Sequence, residues 1–216
     1  MTKMRVSVVV DTPESWMNGY AKELVRAIHN KGYEATFYNK YEDIPEGGIA
    51  IFLSCEKIVP KSVLKKSVHN LVVHESDLPA GKGWSPFTWQ VLQGKNKIPI
   101  TFFEAAEKVD AGLVYYKDVI KLEGHELIDE MREKQAAKTF ELVLRFLDAY
   151  PNVKGEPQKG KESFYRKRTP ADSELNIDKT IREQINLLRV VDNERYPAFF
   201  YYNGRKYILK IYKGVD

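Results

Sequence analysis

The chain has 216 residues, 43% hydrophobic and 30% charged, with a formal net charge of +4 at pH 7. That composition fits an ordinary globular chain, one domain with an appendage or two small ones, long enough to bury a real core. The single cysteine, Cys55, excludes an internal disulfide framework and a cysteine-rich zinc site. The mild positive charge favours an anionic ligand and is weak evidence for nucleic acid.

Residues 4–10 (MRVSVVV) read as a first strand, followed by the loop DTPESW. A helix comes next, with Tyr20, Leu24 and Ile28 spaced by four on one face and a stop near Gly32. YEATFYN is a second strand and GIAIFLS, nearly all apolar, a third and central one. A short helix follows Pro60, then an apolar run, Leu71 to Val73, that ends at His74. PFTWQVLQG reads as a short helix opened by Ser85 as cap and Pro86 at its first turn. KIPITFFEA and LVYYKDVI are strands around the loop AEKVDAG. A long helix, roughly Glu126 to Tyr150, turns Phe140, Leu144 and Leu147 inward and stops at Pro151.

Strand, helix, strand, strand, helix, strand is the pattern of a doubly wound, mostly parallel, Rossmann-like α/β sheet. The first strand leads into Asp11 and Pro13 rather than a glycine-rich fingerprint, so a dinucleotide site is not expected. The expected division is residues 1–150 as one domain and 151–216 as a polar linker plus a small subdomain. That subdomain holds a helix (TIREQINLLRVVD) and a hairpin turning at Asn203–Gly204. No leader or membrane-length apolar run is evident, which points to a cytoplasmic protein without membrane contact.

The informative stretch is LVVHESDLPAGKGWSP, residues 71–86. It places His74 at the carboxyl end of a strand, where ligands bind in open α/β sheets. Together, His74, Ser76, Leu78, Pro79, Lys82 and Gly83 resemble the signature of the folate-dependent formyltransferases. SDLP with GWSP is most similar to the branch that formylates amino groups of nucleotide-linked sugars. YRKRTPAD in the tail resembles a segment of the same branch.

The resemblance implies a formyltransferase fold and 10-formyltetrahydrofolate as formyl donor, with no metal. It implies His74 as general base and Asp110, in the V-D-A-G loop, as its supporting carboxylate. A histidine titrates near neutrality, which suits a group that takes a proton from an attacking amine. The folate ring would lie against Lys57, Ile58, Val59, Ala106, Glu107 and Val109. One family feature is missing: the asparagine two residues before the histidine is replaced by Val72. Asn70 lies four residues back, about 13 Å away by strand rise.

For the acceptor, Lys82, Arg166, Arg168 and Arg189 are phosphate candidates, and Trp16, Trp84 and Tyr165 offer aromatic faces. The implied reaction is N-formylation of a nucleotide-linked amino-deoxy sugar. LRVVDNERYPAFF and HESDLP narrow this to a UDP-linked 4-amino sugar of the pseudaminic acid pathway. The alternatives are a methionyl-tRNA or phosphoribosylglycinamide formyltransferase-like enzyme, or a nucleotide-binding module that has lost activity. The short tail argues against a tRNA partner. The subunit arrangement, homodimer included, is open at this stage.

Overall fold

The computed structural model describes residues 4–214. In chain order the elements are β1 (Arg5–Val9), α1 (Met17–Asn30), β2 (Glu34–Tyr38), β3 (Ile49–Phe52), α2 (Lys61–Leu64), β4 (His69–His74) and β5 (Lys82–Gly83). Then come α3 (Pro86–Leu92), β6 (Lys97–Glu104), β7 (Val114–Lys121), α4 (Ile128–Ala149), β8 (Phe164–Tyr165), α5 (Ile181–Val190), β9 (Ala198–Tyr202) and β10 (Arg205–Leu209).

Six strands form the main sheet in the order β2-β1-β3-β4-β6-β7. The pairs β1–β2, β1–β3 and β3–β4 are parallel; β4–β6 and β6–β7 are antiparallel. This is the mostly parallel α/β architecture that the order of elements predicts, with β3 interior and all four of its residues buried.

Alternation along the strands sorts side chains between two layers. Val6 and Val8 of β1, Ile49 and Ile51 of β3 and Leu71 of β4 join the main core with Leu24 and Ile28 of α1 and Phe146 of α4. On the other face Val9, Ala50 and Phe52 pack with Val63 of α2, with Val72 against them. The consequence for function is that Val72 and His74 face α2, whereas Val73 and the residue after the strand, Glu75, turn towards α4.

Several local expectations need correction. Ser85 precedes α3 but adopts a left-handed backbone (φ 47°) and makes no side-chain cap bond. The inward face of α4 is Met131, Thr139, Leu142, Val143, Phe146 and Leu147, while Phe140 and Leu144 are only half-buried. The apolar residues of this helix occupy more than one stripe, so spacing alone did not choose between them.

The segment after Pro151 is exposed, as its composition predicts, but it is tethered rather than free. Glu156 exchanges two 2.8 Å backbone bonds with Val114. Gln158 Nε2 donates to the Asp110 and Gly112 carbonyls, each at 3.0 Å. β8 then pairs in parallel with β5. The tail hairpin turns at Asn203 and Gly204, both at positive φ (48° and 74°), as a two-residue turn requires. Among the described residues no helix is long and apolar enough to cross a membrane.

Phe146 is fully buried, and its ring meets those of Tyr115 at 5.0 Å, His69 at 5.5 Å and Phe102 at 5.6 Å. Phe146→Ala should therefore cost about 3–5 kcal/mol. Urea unfolding measures it; a loss under about 1 kcal/mol would mean that α4 does not anchor this face of the sheet.

Candidate active site

The carboxyl ends of β1, β3 and β4 open on one edge of the sheet, and a cleft of about 500 Å³ runs across them. Asp11, just past β1, organises one wall. Its carboxylate accepts the Glu56 N–H at 2.9 Å, the Lys57 N–H at 2.8 Å and the Tyr41 hydroxyl at 2.7 Å. One buried acid thus fixes the turn after β3. Burial, then the neighbouring Cys55 and Asp11, holds the Tyr41 hydroxyl well above its ordinary pKa, so it stays a donor. Burial likewise pushes the Cys55 thiol up to about 12, which leaves it an inert part of the wall.

His74 lies at the tip of β4 and is 8% exposed. Its Nε2 is 2.9 Å from the Gly81 carbonyl oxygen. A carbonyl only accepts, so Nε2 carries the hydrogen and the neutral ring keeps its lone pair on Nδ1. Asp110 comes close without a direct hydrogen bond to the ring: its Oδ2 is 3.9 Å from Nε2. The carboxylate instead accepts the Gly83 N–H at 3.0 Å. It therefore acts on the imidazole through charge and through the loop that carries Gly81.

That loop is held from the tail. Ser163 Oγ accepts the Gly81 N–H at 2.9 Å, and the Lys82 N–H donates to the Ser163 carbonyl at 2.9 Å. Gly83 has φ +95°, and a side chain there would sit 2.5 Å from the Tyr165 carbonyl, so only glycine lets β5 lie against β8.

The cleft has two arms that meet at His74. Towards α2 it is walled by Phe52, Cys55, Lys57, Ile58, Val59, Val72, Ala106 and Val109. Towards α4 it is walled by Trp16, Glu75, Arg132, Gln135, Asp192, Arg195 and Tyr196. Trp84, Lys167 and Arg168 also line it. Two arginines of this second arm, Arg132 and Arg168, leave their Nε atoms buried without a hydrogen-bond partner. Burial lowers the Arg168 pKa from its ordinary value.

Of the residues singled out from sequence, the cleft brings together His74, Asp110, Lys57, Ile58, Val59, Ala106, Val109, Trp16, Trp84 and Arg168. Five others lie outside its wall. Glu107 turns to the surface and pairs with Lys61 at 2.5 Å. Lys82 is buried, with Nζ 2.6 Å from Glu162, and braces the loop. Arg166 forks onto Asp172 and lies over the Trp89 ring at 4.7 Å. Tyr165 stacks on the same Trp89 ring, at 6.5 Å. Arg189 is 2% exposed, bonded to the Glu126 carboxylate at 3.3 Å and to its carbonyl at 3.2 Å.

Asn70, the nearest asparagine to the position of Val72, is committed elsewhere. Its Nδ2 donates to the Leu64 carbonyl at 2.8 Å, and its backbone N–H donates to Glu104. Sequence reasoning missed Arg132, Arg195, Tyr196, Asp11 and Glu75. A signal existed for Glu75 alone, as the acidic residue directly after the histidine. Among the described residues no cluster of three or more His, Cys, Asp or Glu side chains is placed to hold a metal ion.

The formyl transferase family model matches residues 33–147. A methionyl-tRNA formyltransferase of Malacoplasma penetrans is 26% identical over 171 residues, 76% of this chain and 53% of that protein. The chain spans about half the length of the curated relatives it matches. HypX from Aquifex aeolicus, crystallised with tetrahydrofolic acid, superposes with a TM-score of 0.79 at 16% identity, over 97% of this chain and 38% of that one. A likely sugar N-formyltransferase from Mycobacterium tuberculosis superposes with a TM-score of 0.74 at 16% identity, over 99% of each chain. At these identities the superpositions establish the fold.

Gly112 is where the loop bearing Asp110 presses onto β6: a side chain there would stand 1.7 Å from the Glu104 carbonyl oxygen. Gly112→Ala should push that loop off the sheet and destabilise the protein by about 1–3 kcal/mol. Urea unfolding checks this, and an unchanged midpoint would show that the loop has room to spare.

Proposed function

Because the chain belongs to the formyl transferase family, we propose that it transfers a formyl group from 10-formyltetrahydrofolate to a primary amine. The observation that carries the reading is His74: its Nε2–H is fixed on the Gly81 carbonyl, at the junction of an apolar arm and a basic, aromatic arm.

The apolar arm suits the folate. Ile58 and Val109 line it while 70% and 46% exposed. Covering them with a flat fused ring removes apolar surface from water. When bound, 10-formyltetrahydrofolate supplies the activated one-carbon unit. The chain's own work is positioning and proton handling. His74 takes a proton from the attacking amine at Nδ1. The imidazolium that results is stabilised at Nε2 by the Gly81 carbonyl and by Asp110 at 3.9 Å. That charged ring is also our candidate for the oxyanion donor, since Val72 offers none.

The basic, aromatic arm suits an acceptor with phosphate and a ring. The unpartnered Nε atoms of Arg132 and Arg168, beside Trp16, Trp84 and Tyr196, are the features that support a nucleotide-linked amino-deoxy sugar. Our finer reading is a UDP-linked 4-amino sugar of the pseudaminic acid pathway, resting on the HESDLP and LRVVDNERYPAFF segments. A second reading, methionyl-tRNA as acceptor, is favoured by the curated relatives.

Mass spectrometry of both acceptor classes, incubated with the protein and 10-formyltetrahydrofolate, separates them by which gains a formyl group. No gain on any nucleotide-linked amino sugar, with a gain on methionyl-tRNA, would replace the first reading by the second. In the productive assay His74→Asn should cut turnover by roughly 10²- to 10⁴-fold while leaving tetrahydrofolate binding in place. Near-full activity would remove His74 from the mechanism.

A further inference from the structure

We propose that Glu75 receives the acceptor's amine as its ammonium ion and takes the first of the two protons that the nitrogen must lose. The inference rests on reading the chain as an amine formyltransferase. Glu75 follows His74 directly, one residue past the end of β4, so the two adjacent side chains serve the two arms of the cleft. Its placement is built: Gln90 Nε2 donates to the Glu75 carbonyl at 2.7 Å, and Gln135 Nε2 donates to Oε1 at 3.2 Å.

Both glutamines are buried, at 4% and 7% exposure. Among the described residues the Glu75 carboxylate has that neutral amide as its hydrogen-bond donor and no lysine or arginine in ion-pair range. On the same helix as Gln135, the Arg132 guanidinium end is already engaged: it binds Asp192 at 2.6 Å and Asp129 at 3.2 Å. A half-buried carboxylate with one oxygen open to a cleft is costly unless a cation meets it. Burial also raises its pKa, His74 acting in the opposite direction, which makes it a better proton acceptor than a surface carboxylate.

The proton count leaves one proton beyond the one that His74 passes to N10. The acceptor enters as R–NH₃⁺ and leaves as R–NH–CHO. One proton passes to the Glu75 carboxylate, which frees the nitrogen lone pair to form the bond to the formyl carbon. A second passes to His74 Nδ1. The bond from that carbon to N10 of the folate breaks with its electron pair on N10, which is protonated from His74. Tetrahydrofolate leaves, and Glu75 returns its proton to solvent.

The other charged or titratable groups of the cleft facing this site are His74 on β4, Asp110 in the β6–β7 loop, Arg132 on α4, Lys167 and Arg168 after β8, and Asp192, Arg195 and Tyr196 after α5. All of them are retained in Glu75→Gln; His74 is the one whose charge acts on Glu75, so Gln135→Leu, which leaves both groups in place, is the control for it.

The test is steady-state kinetics of wild type and Glu75→Gln, with 10-formyltetrahydrofolate and a UDP-linked 4-amino-4,6-dideoxy sugar, from about pH 6 to about pH 9, a range that spans an α-amino-like pKa. At the acidic end the variant should raise the acceptor KM by on the order of tenfold to a hundredfold, the worth of a hydrogen bond to a charged group. The ratio should fall as the free amine comes to predominate. Tetrahydrofolate should titrate into the variant as into wild type, which also certifies its fold. Gln135→Leu, which keeps the carboxylate but removes its amide partner, should show a smaller KM rise of the same pH dependence. A KM ratio near one, or one that is constant with pH in both variants, overturns the inference and leaves the formyltransferase reading intact. Loss of tetrahydrofolate affinity in Glu75→Gln overturns its assignment to the acceptor arm. Wild type that formylates no amine overturns the parent reading instead.

Discussion

The hydrogen bond from His74 Nε2 to the Gly81 carbonyl is the constraint on which the site depends. It decides which ring nitrogen is free, and it exists only because a distant part of the chain holds Gly81 in place. Ser163, the Lys82–Glu162 pair and the β5–β8 pairing all press the loop of residues 75–85 down over the strand tip. Asp110 closes the arrangement by taking the Gly83 N–H. The histidine is therefore set by the tail as much as by its own strand. This explains why Lys82 and Tyr165, conspicuous in the sequence beside the histidine motif and in the tail, serve the loop rather than line the cleft.

A second consequence follows from the two-residue period of β4. Val72 and His74 fall on the α2 face, and the chain beyond the strand tip turns Glu75 towards α4. One strand end thus addresses two chemically different arms, apolar on one side and charged on the other. Where a relative of the resembling family would carry an asparagine, Val72 continues the apolar wall. In the proposed reaction the burden of charge stabilisation falls on the imidazolium, and the carboxylate 3.9 Å from it gains importance.

Much of the fold was legible because its signals are local. Period-four spacing found α1, short continuous apolar runs found the sheet, and Asn203–Gly204 found the hairpin turn. The histidine and its aspartate were legible from motif. The basic residues were not, because a buried ion pair and a ligand site look alike in sequence. Arg189 reads as a phosphate candidate until Glu126 is seen against it; Glu126, despite its burial, is held down to about 2, first by Lys134 and by backbone N–H groups. Arg132 sits within the long helix among alternating charges, and nothing local marks it as the arginine that leaves a buried Nε–H unpartnered. Asp11 was noticed only as the residue that replaces a glycine-rich turn, yet it anchors the wall by bonds to residues more than forty positions away.

The central claim is that His74 is held as the Nε2–H tautomer, with Nδ1 as its base. Two-bond ¹H–¹⁵N correlation spectra of protein labelled with ¹⁵N-histidine test it directly, with His74→Asn assigning the signals. For the neutral ring, the account predicts a protonated Nε2 and a lone pair on Nδ1. A neutral ring that carries its hydrogen on Nδ1 would contradict it.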